Sequence, residues 1–218
     1  MRQPNMETAQ AHRVLGAVAV LTGAVPVGFL NVPAAAAAPC PDVEVVFARG
    51  TTEPPGVGGV GQAFVDSLRS RIGGRSLGVY AVNYPATNDF ANSSTAGARD
   101  ASAHIQSMAA NCPNTKMVLG GFSQGAAVID MASTDLPPGI SDHVAAVADF
   151  GGPRTLFADG LSPGPLPAIS PLYAGKMIDM CVPNDPICFE GGWDMRAHNA
   201  YIQTGRVDDA AAYAAGRL

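Results

Sequence analysis

The chain has 218 residues, a formal net charge of −5 and only 14% charged side chains, with no basic cluster, which excludes the electrostatic footprint of a nucleic-acid binder. An apolar share of 47% is enough to bury a core of single-domain size. The cysteines and histidines form neither a C-x-x-C pair nor H-E-x-x-H, so no metal and no cofactor is expected.

Residues 1–38 read as a signal peptide: Arg2, His12 and Arg13 precede an apolar run from Val14 to Leu30, and Ala34 to Ala38 form a small-residue stretch before a cut near Pro39. Thr22, Pro26 and several glycines interrupt the apolar run, which argues against a spanning anchor, and Pro39 argues against lipid attachment at Cys40. A single α/β domain is then expected over 39–218.

Apolar runs and helical patterns alternate along it. Strands are predicted at 43–48, 77–83, 116–120, 143–150 and 176–181, with helices at 59–72, 97–111, 124–134 and 207–217. Strands that are apolar throughout suit a parallel sheet covered on both faces, so the order predicts a three-layer α/β/α sandwich with a five-stranded parallel sheet. Residues 152–175, rich in Pro, Gly and Leu, read as a long surface connection with room for a short helix.

All four cysteines follow the leader, and an even count in an oxidising compartment implies two disulfides. Three connectivities exist. A local bridge from Cys181 to Cys188 across CVPNDPIC is the economical one and leaves Cys40 for Cys112. On loop entropy the long bridge contributes about 4 kcal/mol and the short one about 2.5 kcal/mol.

The chemistry centres on GFSQG at 121–125, a G-x-S-x-G pattern. In a glycine-rich chain the pattern alone is weak, but here it joins a good strand (KMVLG) to a good helix (QGAAVIDMAS), the junction at which a sharp turn lifts the Ser123 hydroxyl clear of the sheet. A serine hydroxyl needs a base to take its proton, and only His143 and His198 lie downstream. His143 opens a strand at the wrong end of the sheet, whereas His198 follows the last strand. Of the acids Asp149, Asp179, Asp185 and Asp194, Asp185 stands in the turn just past the fifth strand, where a stapled loop would hold its angle. One oxyanion donor expected is the amide of Gln124; the amide of Thr51, just past the first strand, is the natural second, although from spacing Thr51 can equally be a turn residue. Phe90, Ile187, Phe189 and Trp193 fall in the two loops that should flank Ser123, where apolar side chains either meet a lipid-like substrate or cover the core.

Two motifs read as decoys. Gly56, Gly58 and Gly61 spell G-x-G-x-x-G, but two prolines intervene after the strand and no carboxylate follows the second strand at Asn83-Tyr84-Pro85, so a loop entering a helix is expected rather than a dinucleotide site. Asn92-Ser93-Ser94 is a glycosylation sequon that matters only in a host that glycosylates exported proteins.

Taken together, ARGTTE at 48–53, PNTKMVLGGFSQGAAV at 113–128, CVPNDPIC at 181–188 and His198 resemble the cutinase family of small secreted α/β-hydrolases, in the family's order and across nearly the whole chain after the leader. The resemblance implies a lidless sheet of five strands, disulfides Cys40–Cys112 and Cys181–Cys188, the triad Ser123, His198 and Asp185, and an oxyanion role for Thr51. Family members often carry Tyr at the position of Phe122, a branched aliphatic residue at Met117 and Ser at Thr51. The expected protein is a secreted monomer that hydrolyses lipid-like or polyester substrates at an interface through an acyl-enzyme, with no nucleic-acid partner and no stable membrane anchor. The alternatives are a polysaccharide deacetylase or phospholipase of the same fold, or a non-catalytic secreted surface protein.

Overall fold

Six consecutive buried residues, Val43–Ala48, form the first strand, β1, and this double-sided burial sets the architecture. Successive side chains of a strand point to opposite faces. Accordingly Val45 and Phe47 pack with Phe64, Leu68 and Ala211, while Val46 and Ala48 pack with Ile105, Leu119 and Val128. The computed structural model describes residues 39–162, 166 and 168–218; the signal-peptide reading of residues 1–38 lies outside them.

The remaining strands are β2 (Leu77–Ala81), β3 (Lys116–Phe122), β4 (Val144–Phe150) and β5 (Met177–Met180). All pair in parallel in the order β2-β1-β3-β4-β5, as a single five-stranded sheet. Helices α1 (Gly58–Arg69) and α7 (Arg206–Ala215) cover one face, and α2 (Phe90–Asn111) and α3 (Gln124–Asp135) cover the other. In α1 the buried Val60, Phe64, Val65 and Leu68 recur at the helical period, so one stripe of the helix meets the sheet. The three-layer α/β/α class expected from the sequence is the class observed.

The chain runs from β1 outward to β2 and then back past β1 to β3, so the direction of winding reverses between the adjacent strands β1 and β3. In open α/β sheets ligands bind at such a reversal, outside the carboxyl ends of the strands. The residues following β1 and β3, Thr51 and Ser123, therefore meet at the crevice the topology creates.

Several boundaries differ from expectation. Helix α2 begins at Phe90, seven residues ahead of the predicted start, so Phe90 opens a helix rather than standing in a loop. Strand β2 stops at Ala81, although the Val82 N–H still donates to the Phe47 carbonyl at 3.0 Å. Among its described residues, the connection predicted over 152–175 contains the one-turn helices α4 (Leu156–Asp159) and α5 (Pro171–Ala174). Residue His143 closes a 3₁₀ turn, Pro138–His143, ahead of β4 instead of opening the strand.

Both expected disulfides are present. Cys40–Cys112 pins the segment before β1 to the end of α2, and Cys181–Cys188 closes the loop after β5. Among the described residues no helix is long and apolar enough to cross a membrane.

Candidate active site

Ser123 sits between β3 and α3 with φ 55° and ψ −118°, a backbone conformation that costs a residue with a Cβ about 1–3 kcal/mol. The turn is possible only because its flanking residues lack side chains. A Cβ on Gly121 would lie 2.2 Å from the Gly125 carbonyl, and one on Gly125 would lie 2.0 Å from the carbonyl oxygen of Ala48. The Ser123 N–H donates to the Phe150 carbonyl at 2.9 Å, which fastens the turn to β4.

The first amides of α3 have no carbonyl behind them in the helix. Among the described residues neither the Gln124 amide nor the Thr51 amide donates to a protein acceptor. The Gln124 side chain is fully buried and acts separately from its amide. Its Oε1 accepts from Ser93 Oγ at 3.0 Å and its Nε2 donates to the Thr87 carbonyl at 2.9 Å, holding the start of α2 against α3. The loop carrying Thr51 is held as firmly. Glu53 accepts from the amides of Gly50 (2.6 Å) and Gly59 (2.8 Å), and the Arg49 Nε donates to the Glu53 carbonyl at 2.7 Å.

His198 closes the single-turn helix α6 (Met195–His198), which opens on Asp194, whose side chain accepts from the Arg196 amide. Its Nδ1 lies 2.8 Å from Asp185 Oδ2. An ionised carboxylate only accepts, so the Nδ1 carries a proton toward Asp185, and in the neutral imidazole Nε2 is left as the acceptor. Asp185 is fully buried; its Oδ1 accepts from the Ile187 amide at 2.9 Å, and its Oδ2 also accepts from the Tyr201 hydroxyl at 2.6 Å. Burial pushes the Asp185 carboxyl up, but the hydrogen bonds from His198 and Tyr201, the charge of His198 and the Ile187 amide outweigh it, so the group lies below the usual carboxylate range.

Ser123 and His198 line one cavity of about 460 Å³ together with Thr51, Asn88 and Phe122. Its apolar wall is Phe90, Leu161, Ile187 and Met195. The four flanking residues singled out in the sequence thus divide: Phe90 and Ile187 are buried in the wall, whereas Phe189 and Trp193 are exposed. Leu161, Met195, Phe122 and Tyr201 were not singled out. Their signal was position alone: Phe122 adjoins the nucleophile-like serine, and Tyr201 follows His198 by three residues.

The competing acids lie elsewhere. Arg154 reaches Asp130 Oδ2 and Asp179 Oδ2 at 3.0 Å each and Asp149 Oδ2 at 3.5 Å. Among the described residues the Oδ1 atoms of Asp130 and Asp149 are buried without an N–H or hydroxyl partner, which favours a protonated carboxyl in this pair. Burial raises both carboxyls, Asp149 well above its ordinary range, with the Asp130 charge adding to it and Arg154 opposing. The G-x-G-x-x-G glycines serve the turn and packing: Gly56 and Gly58 take positive φ values of 132° and 73° where the chain enters α1, and a Cβ on Gly61 would meet the Phe47 ring at 2.6 Å. No group of three His, Cys, Asp or Glu side chains among the described residues could hold a metal ion.

A parallel sheet bearing a strained serine turn at its carboxyl edge, with a His–Asp pair entering from the loops past its last strand, defines an α/β-hydrolase fold. The Cutinase family model matches residues 39–218, and the chain belongs to that family. It is 53% identical over 207 residues to the carboxylesterase Culp1 of Mycobacterium tuberculosis, covering 94% of this chain and 95% of that protein. It is 48% identical over 194 residues to the phospholipase Culp4 of the same organism, covering 84% and 81%. Among solved structures, a Trichoderma reesei cutinase bound to a phosphonate inhibitor superposes with TM-score 0.67 at 37% identity, over 82% of this chain and 77% of that one. The catalytic core of a T. reesei acetyl xylan esterase does so with TM-score 0.69 at 26% identity, over 83% and 100%.

Proposed function

We propose that the chain is a secreted serine esterase that cleaves carboxylic esters of lipid-like or polyester substrates through an acyl-enzyme. Family membership carries the ester hydrolysis. The observation that supports the assignment of roles is that Ser123 and His198 share one cavity while His198 is held by the buried Asp185.

In this reading Ser123 Oγ attacks the ester carbonyl while His198 Nε2 accepts its proton, and Asp185 stabilises the imidazolium that results. The amides of Thr51 and Gln124 receive the oxyanion. His198 then gives the proton to the leaving alcohol as its C–O bond breaks; water next attacks the acyl carbonyl while His198 takes its proton, and the acyl–Oγ bond breaks as His198 returns that proton to Ser123, releasing the acid. An acyl chain lies along Phe90, Leu161, Ile187 and Met195. Outside the cavity, the apolar side chains of Leu156, Phe157, Phe189 and Trp193 are exposed, which suits contact with an aggregated lipid or polymer rather than a soluble sugar ester. Two disulfides fit an oxidising, extracytoplasmic setting.

An ester series from acetyl to palmitoyl, run with the wild type and Ser123→Ala, tests this. Hydrolysis that rises above acetyl and disappears in the variant supports the proposal. A preference confined to acetyl esters favours a polysaccharide deacetylase, activity confined to glycerophospholipids favours a phospholipase, and no turnover of any ester favours a binding protein.

A further inference from the structure

Asp185 has more donors than a triad needs. Its Oδ2 is shared by His198 Nδ1 at 2.8 Å and the Tyr201 hydroxyl at 2.6 Å. That hydroxyl is itself fixed: the Val182 amide donates to it at 3.4 Å, and it touches the sulfur of Cys188 at 3.3 Å, which as half of a disulfide has no proton to give. With an N–H donor on one side, the weak acceptor sulfur of Cys188 on another and a carboxylate at 2.6 Å, the tyrosine proton goes to Asp185, the closer and far stronger acceptor. Phe122 and Phe150 meet the Tyr201 ring edge-on, and the residue is fully buried. Gly151, at φ 58°, closes the other side: a Cβ there would lie 2.7 Å from the Tyr201 hydroxyl, 2.9 Å from the His198 ring and 3.1 Å from Asp185 Oδ2. The wall is built to this hydroxyl.

We propose that Tyr201 is a positioning residue that sets how strongly Asp185 holds the His198 imidazolium. The inference rests on the Ser123–His198–Asp185 reading. A base that serves both half-reactions must take a proton from serine and then release it to the leaving alcohol. Without Tyr201, His198 would be the sole donor to Oδ2, with only the Ile187 amide on the other oxygen, and the carboxylate would hold the imidazolium too tightly. The tyrosine donor takes up part of that charge, as hydrogen bonds to an ionised carboxylate do, and leaves the imidazolium freer to give up its proton. It also stops Asp185 from rotating about its side chain, because Ile187 N–H holds one oxygen and Tyr201 the other. Burial, then the contact with Asp185, pushes the Tyr201 phenol far up, so it stays a donor throughout the working pH range.

The test is the pH profile of kcat/KM for p-nitrophenyl butyrate with the wild type and Tyr201→Phe, beside their melting temperatures. Loss of the hydroxyl is expected to move the acid limb to higher pH by about half a unit or more and to lower the plateau. A variant that melts lower but keeps the wild-type limb overturns the proposal, since a purely structural tyrosine would change stability alone. If Tyr201→Phe does not fold, 3-fluorotyrosine placed at 201 keeps ring and hydroxyl and strengthens the donor. The limb then moves to lower pH, and an unmoved limb overturns the proposal. Asp185→Asn and His198→Ala in the same series separate the two levels: wild-type turnover by either one rejects the triad reading itself, independently of Tyr201.

Discussion

The ring of Phe122 stacks against the imidazole of His198, with centroids 5.0 Å apart and planes 27° from parallel. Phe122 is the last residue of β3, so the strand that aims Ser123 also sets the plane of the base that would serve it. Phe122→Ala removes that face and leaves a void above the sheet. Urea denaturation should show a loss of about 3 kcal/mol, and kcat/KM for p-nitrophenyl butyrate should drop more than tenfold, with Phe122→Leu between the variant and the wild type.

The two disulfides should separate stability from activity. Replacing Cys40 and Cys112 with alanine releases a link across 72 residues, so the melting temperature falls in line with a loss of about 4 kcal/mol, while kcat of the folded protein is kept. Replacing Cys181 and Cys188 costs less stability, about 2.5 kcal/mol, but frees the turn that holds Asp185, and kcat falls sharply. Equal kcat for the two folded double variants would contradict the positional role of the short loop.

Gln124 offers a way to distinguish its side chain from its amide. In Gln124→Ala the amide stays, while Ser93 and the Thr87 carbonyl lose buried partners at a cost of about 1–3 kcal/mol. The wall at Phe90 loosens with them, so KM for a butyrate ester rises, and kcat falls far less than in Ser123→Ala. Steady-state kinetics with a thermal melt read both effects.

The buried acids away from the cavity and Asp185 beside it contribute to the pH dependence of stability with opposite signs. Asp130 and Asp149 have folded pKa values above their unfolded ones, so below about pH 4 both states hold these protons and no stability is lost. As the pH rises beyond that, the unfolded chain releases protons that the folded chain keeps, and stability falls until the pair ionises. Asp185 has the opposite sign: its stabilisation is present above about pH 4 and is lost as the pH falls through its lowered folded value. Asp149→Asn should therefore flatten the decline in melting temperature that sets in above about pH 4 and leave the acid side unchanged. An unaltered slope would mean that the pair does not hold the proton.

Sequence pattern carried the sheet because buried parallel strands announce themselves as continuous apolar runs: Val43–Ala48 is apolar but for Glu44. The start of α2 was hidden because Phe90 to Ala96 is rich in Asn, Ser and Thr, residues that compete with a helix for backbone hydrogen bonds. Tertiary contacts override that preference, since Ser93 is needed by Gln124 and Phe90 by the cavity wall. Within the site, Ser123, His198 and Asp185 could be proposed from motif, chain order and loop position. Tyr201 and Phe122 could not, because an aromatic beside a motif reads as core until a short contact to the carboxylate or the imidazole gives it a second role.

The most direct measurement treats the purified protein with a fluorophosphonate and follows both mass and p-nitrophenyl butyrate turnover. One adduct on the peptide that contains Ser123, with activity lost in step, and a fall of about four orders of magnitude or more in kcat for Ser123→Ala are the expected results. Full turnover by Ser123→Ala, or an adduct on another residue with activity lost, would contradict the assignment of the nucleophile.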